Sequence, residues 1–173
     1  MYPTMRRIKQ QMPLDEAKEI LKQGKTGILA ITYQDEPTMV PLNFVYENDT
    51  IWFHCAKSGH KLDVIQKNPK VSFCVIAEDE IVPEKYSTKY QSVLAYGKAS
   101  IIEEEKEKFH ALTLLIAKYC PMQVPSGKAY IEQGIANTGI VKIEIDHISG
   151  KFPYGCFCND YINKLKQYNA YLL

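Results

Sequence analysis

Residues Ile51-Trp52-Phe53-His54-Cys55-Ala56-Lys57-Ser58-Gly59-His60-Lys61-Leu62-Asp63 run from an apolar, aromatic stretch into a helical pattern that closes at Asn68-Pro69. Only Lys57-Ser58-Gly59 lies between the two, so a buried strand must hand the chain directly to a helix N-terminus. That terminus offers unpaired N–H groups and the positive end of the helix dipole, and Ser58 is a small residue able to cap it. Lys57, His60 and Lys61 crowd the same end, where positive side chains oppose the dipole by roughly 0.3–1 kcal/mol each. A cluster that works against its own helix is better explained by a bound anion such as phosphate. A solvated basic turn is the alternative. The Gly-x4-Gly-Lys-Ser/Thr pattern of a Walker A loop is absent.

Around this stretch the chain reads as strands with inserted helices. Residues 1–12 read as a polar, basic arm. Pro13 opens a helix with acids in its first turn and Gly24 just past its end. Strands are expected over 27–33, over 38–46 and in the opening stretch, forming an antiparallel meander. Pro41 falls inside the second of these, which argues for an edge, a bulge or a non-strand neighbour. Further strands follow over 70–77, 89–102 and 140–148, with an acidic loop over 78–88. A helix over 103–119 carries Phe109, Leu112, Leu115 and Ile116 as one stripe, and a shorter one spans 128–133. Five or six antiparallel strands with inserted helices suggest a small closed barrel; an open α+β sheet is the alternative.

With 173 residues the chain fits one domain with an adequate core. A net charge of +1 leaves no electrostatic footprint for nucleic acid, and no apolar run is long enough to span a membrane. Five cysteines without a secretion signal read as free thiols in a reducing cytoplasm, and Cys156-x-Cys158 has the wrong spacing for a zinc or thioredoxin-type pair. No metal site is expected. On a regular strand, Ile51, Phe53 and Cys55 share one face, and Trp52, His54 and Ala56 the other. His54 then lines a pocket near the basic loop, or is simply hydrogen-bonded at a sheet edge. His110 reads as a surface residue, and His147 sits on the apolar face of the last strand, as a core histidine or a pocket contact. No nucleophile elbow or paired carboxylates stand out, so a redox cofactor would have to supply the chemistry.

Met39-Val40-Pro41-Leu42-Asn43-Phe44, the run Phe53 to Asp63, and Asn68-Pro69-Lys70-Val71-Ser72-Phe73 resemble the FMN-binding split barrel of the pyridoxamine phosphate oxidase superfamily. Pro83-Glu84-Lys85-Tyr86, Gln91-Ser92-Val93 with Gly97, and Ile145 to Lys151 resemble its nitroimidazole-resistance (Nim-type) branch. The resemblance covers about residues 5–151. It implies a six-stranded antiparallel Greek-key split barrel, mainly β with inserted helices, and a homodimer holding FMN at its interface. By position, Met39, Val40, Pro41, Leu42 and Asn43 would run along the isoalloxazine ring. His54 and Cys55 would flank it, His60 and Lys61 would bind its phosphate, and Ser58, Ser92 and His147 would also approach the cofactor. The oxidase itself typically has arginine where His60 stands, and an arginine-rich ending that this chain lacks, which points away from vitamin B6 phosphate as substrate.

The domain boundaries expected are an arm over 1–12, the FMN-binding barrel over 13–151, and a tail over 152–173 packed on the barrel or the partner subunit. The implied activity is FMN-dependent reduction of nitroaromatic or related small electrophilic acceptors, with His54 as the catalytic residue. A non-catalytic binder of flavin or haem in the same barrel is the competing expectation, with His54 and His147 as the residues to watch for haem.

Overall fold

The computed structural model describes residue 2 and residues 4–153; the tail from residue 154, with Cys156 and Cys158, lies outside the described residues. Helix α1 (Leu14–Gln23) follows Pro13 and ends at Gly24, with Asp15 and Glu16 in its first turn. Its Ala17, Ile20 and Leu21 recur at helical spacing and are buried against the strands. The strands are β1 (Thr26–Tyr33), β2 (Glu36–Asn43), β3 (Val45–Glu47), β4 (Thr50–Cys55), β5 (Lys70–Val82), β6 (Ser87–Ile102) and β7 (Gly139–Lys151). Helix α2 (His60–Lys67) separates β4 from β5, and α3 (Glu105–Tyr119) and α4 (Val124–Gly134) lie between β6 and β7.

All strands join one antiparallel sheet in the order β2-β1-β5-β6-β7-β4-β3. Strands β2 and β3 stand at opposite ends of that order, yet only Phe44 separates them in the chain. The strand expected over 38–46 therefore breaks at one residue, and its halves pair with different neighbours, β2 with β1 and β3 with β4. The expected meander becomes a corner that folds the sheet back on itself. Counted as one bent strand, β2 and β3 restore the expected six, and the result is a split barrel, open where β2 faces β4 without a ladder. Pro41 lies on β2, the edge strand, where its missing N–H costs nothing.

Two other expectations shift. The segment read as an acidic loop is a hairpin: β5 continues to Val82, and Pro83–Lys85 with Tyr86 in the left-handed region turns the chain into β6. Cross-strand pairing and the Glu78–Lys89 ion pair at 2.6 Å hold this acidic stretch extended. The second late helix is also longer than expected, beginning at Val124 with proline at its first turn.

The barrel interior is filled by Leu29, Ile31, Phe44, Ile51, Phe53, Phe73, Val75, Val93, Val141 and Ile143. A second cluster forms outside it, where Trp52, Val45, Ile102 and Ile140 meet Ala111 and Leu115 of α3. Alternation along β4 separates Ile51 and Phe53 from Trp52, as the sequence reading expected, and the structure gives each face its own core: Ile51 and Phe53 point in, Trp52 points out. His110 lies on the surface of α3, but it bonds the Glu47 carboxylate at 2.7 Å and meets the Trp52 ring edge-on.

The corner at Phe44 is secured from α3. The Phe44 N–H donates to the Tyr119 hydroxyl at 2.9 Å, and its carbonyl lies 2.6 Å from that hydroxyl and 3.0 Å from the Lys118 Nζ. Lys118 also donates to the Gly24 carbonyl at 2.6 Å, and the Tyr119 hydroxyl proton is shared with the Lys25 carbonyl at 2.7 Å. Tyr119→Phe leaves these backbone groups short of a partner and should cost about 1–3 kcal/mol of unfolding free energy, measured by urea denaturation.

Burial pulls the Lys118 ammonium from 10.5 down to about 8. Between those values the unfolded chain holds more protons than the folded one, so this group makes stability rise with pH from about 8 to 10.5. Lys118→Met should remove that rise. Comparing the two proteins across the window cancels the tyrosines and thiols, whose raised values act in the opposite sense.

Candidate functional site

The loop between β4 and α2 is built as an uncapped helix N-terminus. Gly59, not Ser58, holds the N-cap position, at φ 135° and ψ 165°, and no side chain caps the helix. The Gly59 carbonyl accepts the N–H groups of Leu62 at 2.9 Å and Asp63 at 3.2 Å. The N–H groups of His60 and Lys61 have no partner among the described residues. They border a recess of about 160 Å³ lined by Cys55, Ala56, Ser58, Gly59, His60, Lys61 and Leu62. Lys61 is half-buried with Nζ 5.5 Å from the Phe53 ring centre, whereas Lys57 is exposed. Burial pushes the Cys55 thiol up, and the Lys61 charge opposes that shift.

Strand β2 runs past this terminus along the split. Thr38 Oγ1 lies 3.5 Å from His60 Nε2, the outer limit of a hydrogen bond. Alternation turns Met39, Pro41 and Asn43 outward, with Met39 72% exposed, while Val40 and Leu42 are half-buried. Asn43 donates to the Lys25 carbonyl at 3.0 Å. Beyond it His54, exposed on the outer face of β4, lines a cavity of about 290 Å³ between the barrel and helices α3 and α4, and Asn43 shares that wall. The structure thus gathers Met39, Val40, Pro41, Leu42, Asn43, His54, Cys55, Ser58, His60 and Lys61 around the split.

Ser92 and His147 lie elsewhere. Ser92 pairs with Ile76 and Lys151 near the hairpin end of β6, while α2 packs toward the other end, where the Ala99 N–H donates to the Pro69 carbonyl. His147 does not occupy the apolar face. A β-bulge at Asp146 places His147 opposite Tyr96 and Ile145 opposite Gly97, which reverses the alternation. A Cβ at Gly97 would overlap the Glu144 carbonyl, so glycine allows that close approach. His147 consequently stands outside the barrel, stacked on Tyr2 with ring centres 5.0 Å apart, and shares no cavity lining with His54. The two histidines considered for haem are not brought together within the chain.

Sequence reading missed Thr38, Tyr119, Tyr130 and Thr138 as neighbours of the site. Their approach is tertiary; the one local hint was the apolar stripe of Leu112, Leu115 and Ile116, all of which line the cavity. Among the described residues, no cluster of three His, Cys, Asp or Glu is placed to hold a metal ion, and no helix is long and apolar enough to cross a membrane.

An antiparallel split barrel with an uncapped helix at its opening defines the class, and sequence comparison gives the family. The family profile described as pyridoxamine 5'-phosphate oxidase matches residues 13–152, and the chain belongs to that family. Among solved structures, a candidate 5-nitroimidazole antibiotic resistance protein from Bacteroides thetaiotaomicron is 28% identical, with a TM-score of 0.69 over 82% of this chain and 85% of that one. A flavocytochrome from Azotobacter vinelandii is 17% identical, with a TM-score of 0.72 over 92% of this chain and 78% of that one. An FAD- and haem-binding protein from Mycobacterium smegmatis is 19% identical, with a TM-score of 0.73 over 90% and 80% of the two chains. At these identities the last two show the fold alone. No curated protein gives a significant match.

The need for glycine at position 59 is testable without any ligand. Its φ of 135° lies where side chains are disfavoured, although open space surrounds it. Gly59→Ala should lower the unfolding free energy by about 1–3 kcal/mol through backbone strain alone, seen as a lower urea midpoint at unchanged slope.

Proposed function

We propose that the protein is an FMN-dependent oxidoreductase that reduces nitroaromatic or related small electrophilic compounds. The observation that carries this reading is the uncapped N-terminus of α2, with unpartnered His60 and Lys61 N–H groups, set beside the open edge of β2. Such a terminus fits a phosphate: N–H groups and dipole favour an anion, and the half-buried Lys61 adds a charge that solvent screens only in part. Ser58, His60 and Lys61 would hold the phosphate, and the edge from Met39 to Asn43 would lie along the ring system, with Cys55 and His54 at its flanks. Bound FMN supplies the electron transfer, while the chain binds and orients the reactants. His54 makes no hydrogen bond among the described residues, so its ring nitrogens are available to give a proton to an acceptor lodged beside it.

A second copy of the chain completes this reading. The outer face of β2, β1, β5, β6 and β7 carries the cross-strand rows Pro41–Ile28–Cys74–Leu94–Ser149 and Met39–Ala30–Ser72–Tyr96–His147. Helices α3 and α4 cover the opposite flank, leaving Met39, Ile76 and Leu94 exposed. An apolar face continuous with the β2 edge suits a homodimer whose groove borders the flavin. Ser92 and His147 lie on or beside that face, so they would approach the cofactor from the second copy. Residues 13–151 would form the flavin-binding domain, with the arm and the tail over 152–173 packed on the barrel or the partner. Free thiols at Cys55, Cys74 and Cys120 support a reducing, cytoplasmic setting.

Cofactor extraction and chromatography test the flavin: FMN is expected because one anion site serves one phosphate, and FAD as the sole flavin would overturn it. Light scattering should give a dimer; a flavin-loaded monomer at micromolar concentration would contradict the two-chain groove. In fluorescence titration of apo-protein with FMN, Lys61→Ala should weaken binding about tenfold to a hundredfold, the value of one charge-assisted hydrogen bond. Lys57→Ala, at an exposed position, should change it little, and less still at high salt. Equal losses would mean a diffuse basic patch instead of a phosphate site.

A further inference from the structure

The cavity between the barrel and helices α3 and α4 has a wall unlike that of the basic recess. Leu112, Leu115, Ile116 and Ile131 make it largely apolar, and neither lysine, arginine, aspartate nor glutamate is among its lining residues. Polar groups are few. The Tyr119 hydroxyl is committed to the Phe44 corner, Asn43 to the Lys25 carbonyl, and Thr138 Oγ1 to the Gly134 carbonyl at 2.9 Å. His54 and Tyr130 keep theirs free of hydrogen bonds among the described residues. At about 290 Å³ the cavity sits near the lower end of the range for small-molecule pockets, roughly 300–1,000 Å³. It suits a single ring system with a polar substituent directed at His54. It does not suit a dinucleotide, whose phosphates would find no cation there.

We propose that this cavity is the acceptor subsite, and that it selects neutral aromatic rings and rejects carboxylate or phosphate analogues of the same size. The proposal rests on the flavin reading for its part in turnover, but ring binding is a property of the cavity itself. Moving an anion from water into this wall costs its hydration, and of the lining side chains only the His54 ring and the Tyr130 hydroxyl are free to donate to it, with no lysine or arginine to pair its charge; that loss separates the two classes of compound. The selection follows from what lines the cavity: Lys118, next to the lining Tyr119 on α3, is not among the lining residues and gives its ammonium to the Gly24 and Phe44 carbonyls.

The molecule supplies both a reporter and a plug. Trp52 is the single tryptophan and packs in the outer cluster with Leu115, which lines the cavity. A nitroaromatic ring bound there should quench its emission by accepting the excited electron. Gly134 also lines the cavity, has φ −106°, and a Cβ added to it would meet no atom within 4 Å. Gly134→Leu therefore projects a side chain into open space and should leave the fold intact.

The purified full chain is titrated with 4-nitrobenzyl alcohol and, separately, with 4-nitrobenzoate, while Trp52 emission and visible flavin absorption are followed together. Saturable quenching by the alcohol is expected, with the carboxylate about tenfold weaker or more, and the saturable phase lost in Gly134→Leu. Equal affinity for the two compounds would overturn the selectivity, and this arm needs no variant. A folded Gly134→Leu protein that binds the alcohol as wild type does would place the compound elsewhere and overturn the assignment to this cavity. Release of flavin in step with quenching would assign the cavity to the cofactor and also overturn the proposal. A protein that never takes up FMN yet shows the expected selectivity would defeat the flavin reading and leave the subsite standing.

Discussion

The turn of one strand at Phe44 is the constraint from which the rest of the architecture follows. A chain that broke one residue earlier or later would turn the opposite side chains of β3 toward the core. Breaking a strand at a buried residue leaves an N–H and a carbonyl that no ladder satisfies, and such groups are costly when unpaired. Here Tyr119 and Lys118, some 75 residues downstream, bond both. The same two side chains hold the Gly24 and Lys25 carbonyls, so α1, the corner and α3 are tied at one point. The ring of Phe44 fills the barrel beneath, edge-on to Phe73. Because the corner is fixed, the outer edge of β2 stays free, and the split that this leaves is where the basic helix terminus stands.

Much of this was legible in the sequence for local reasons. Pro41 argued for an edge because it lacks a donor, and alternation sorted Ile51 and Phe53 from Trp52 and His54. The basic cluster at the helix start follows from the dipole argument alone, and the split-barrel resemblance rests on the same residues. Illegible parts share a different cause. The bulge at Asp146 depends on the close approach of Gly97 to the opposite strand, a pairing that no single segment encodes. Once missed, it reversed the reading of every later side chain on β7, His147 included. The extension of β5 through its acidic residues depends on Lys89 across the hairpin. Ser58 looked like a cap because of its chemistry, but the φ of Gly59 moves the N-cap one residue on.

The outer surface of the barrel is divided by what covers it. On one flank α3 and α4 bury Trp52, Val45, Ile102 and Ile140, and enclose an uncharged cavity against His54. On the other flank, among the described residues, Tyr2 stacks on His147 and meets Tyr96, while Leu94, Ile76 and Met39 are exposed. The β2 edge runs along the boundary, with Asn43 touching the cavity and Met39 on the open face. A ligand placed on that edge would have its charged end at Lys61 and its neutral end toward the helices. One strand edge thus passes from a cationic to an apolar environment within a few residues, and that gradient fixes the direction in which an amphipathic ligand can lie.

That arrangement also explains why the helix terminus is left uncapped. A serine or aspartate N-cap is worth only a few tenths of a kcal/mol more than glycine, and at the φ of 135° found here any side chain would be strained, so glycine stands at the cap. The helix is instead held by Leu62, Val64 and Ile65, all buried in the barrel core, so its stability does not depend on its cap. Packing on one face of a short helix frees the other end to keep its N–H groups exposed to a ligand. Gly59 removes the side chain that would crowd the approach, and Lys61, one residue before the buried Leu62, is held near the recess by the same packing. The open helix terminus is therefore a consequence of where α2 buries its apolar face, and the residues that hold the helix in the core are the ones that aim that end at the split.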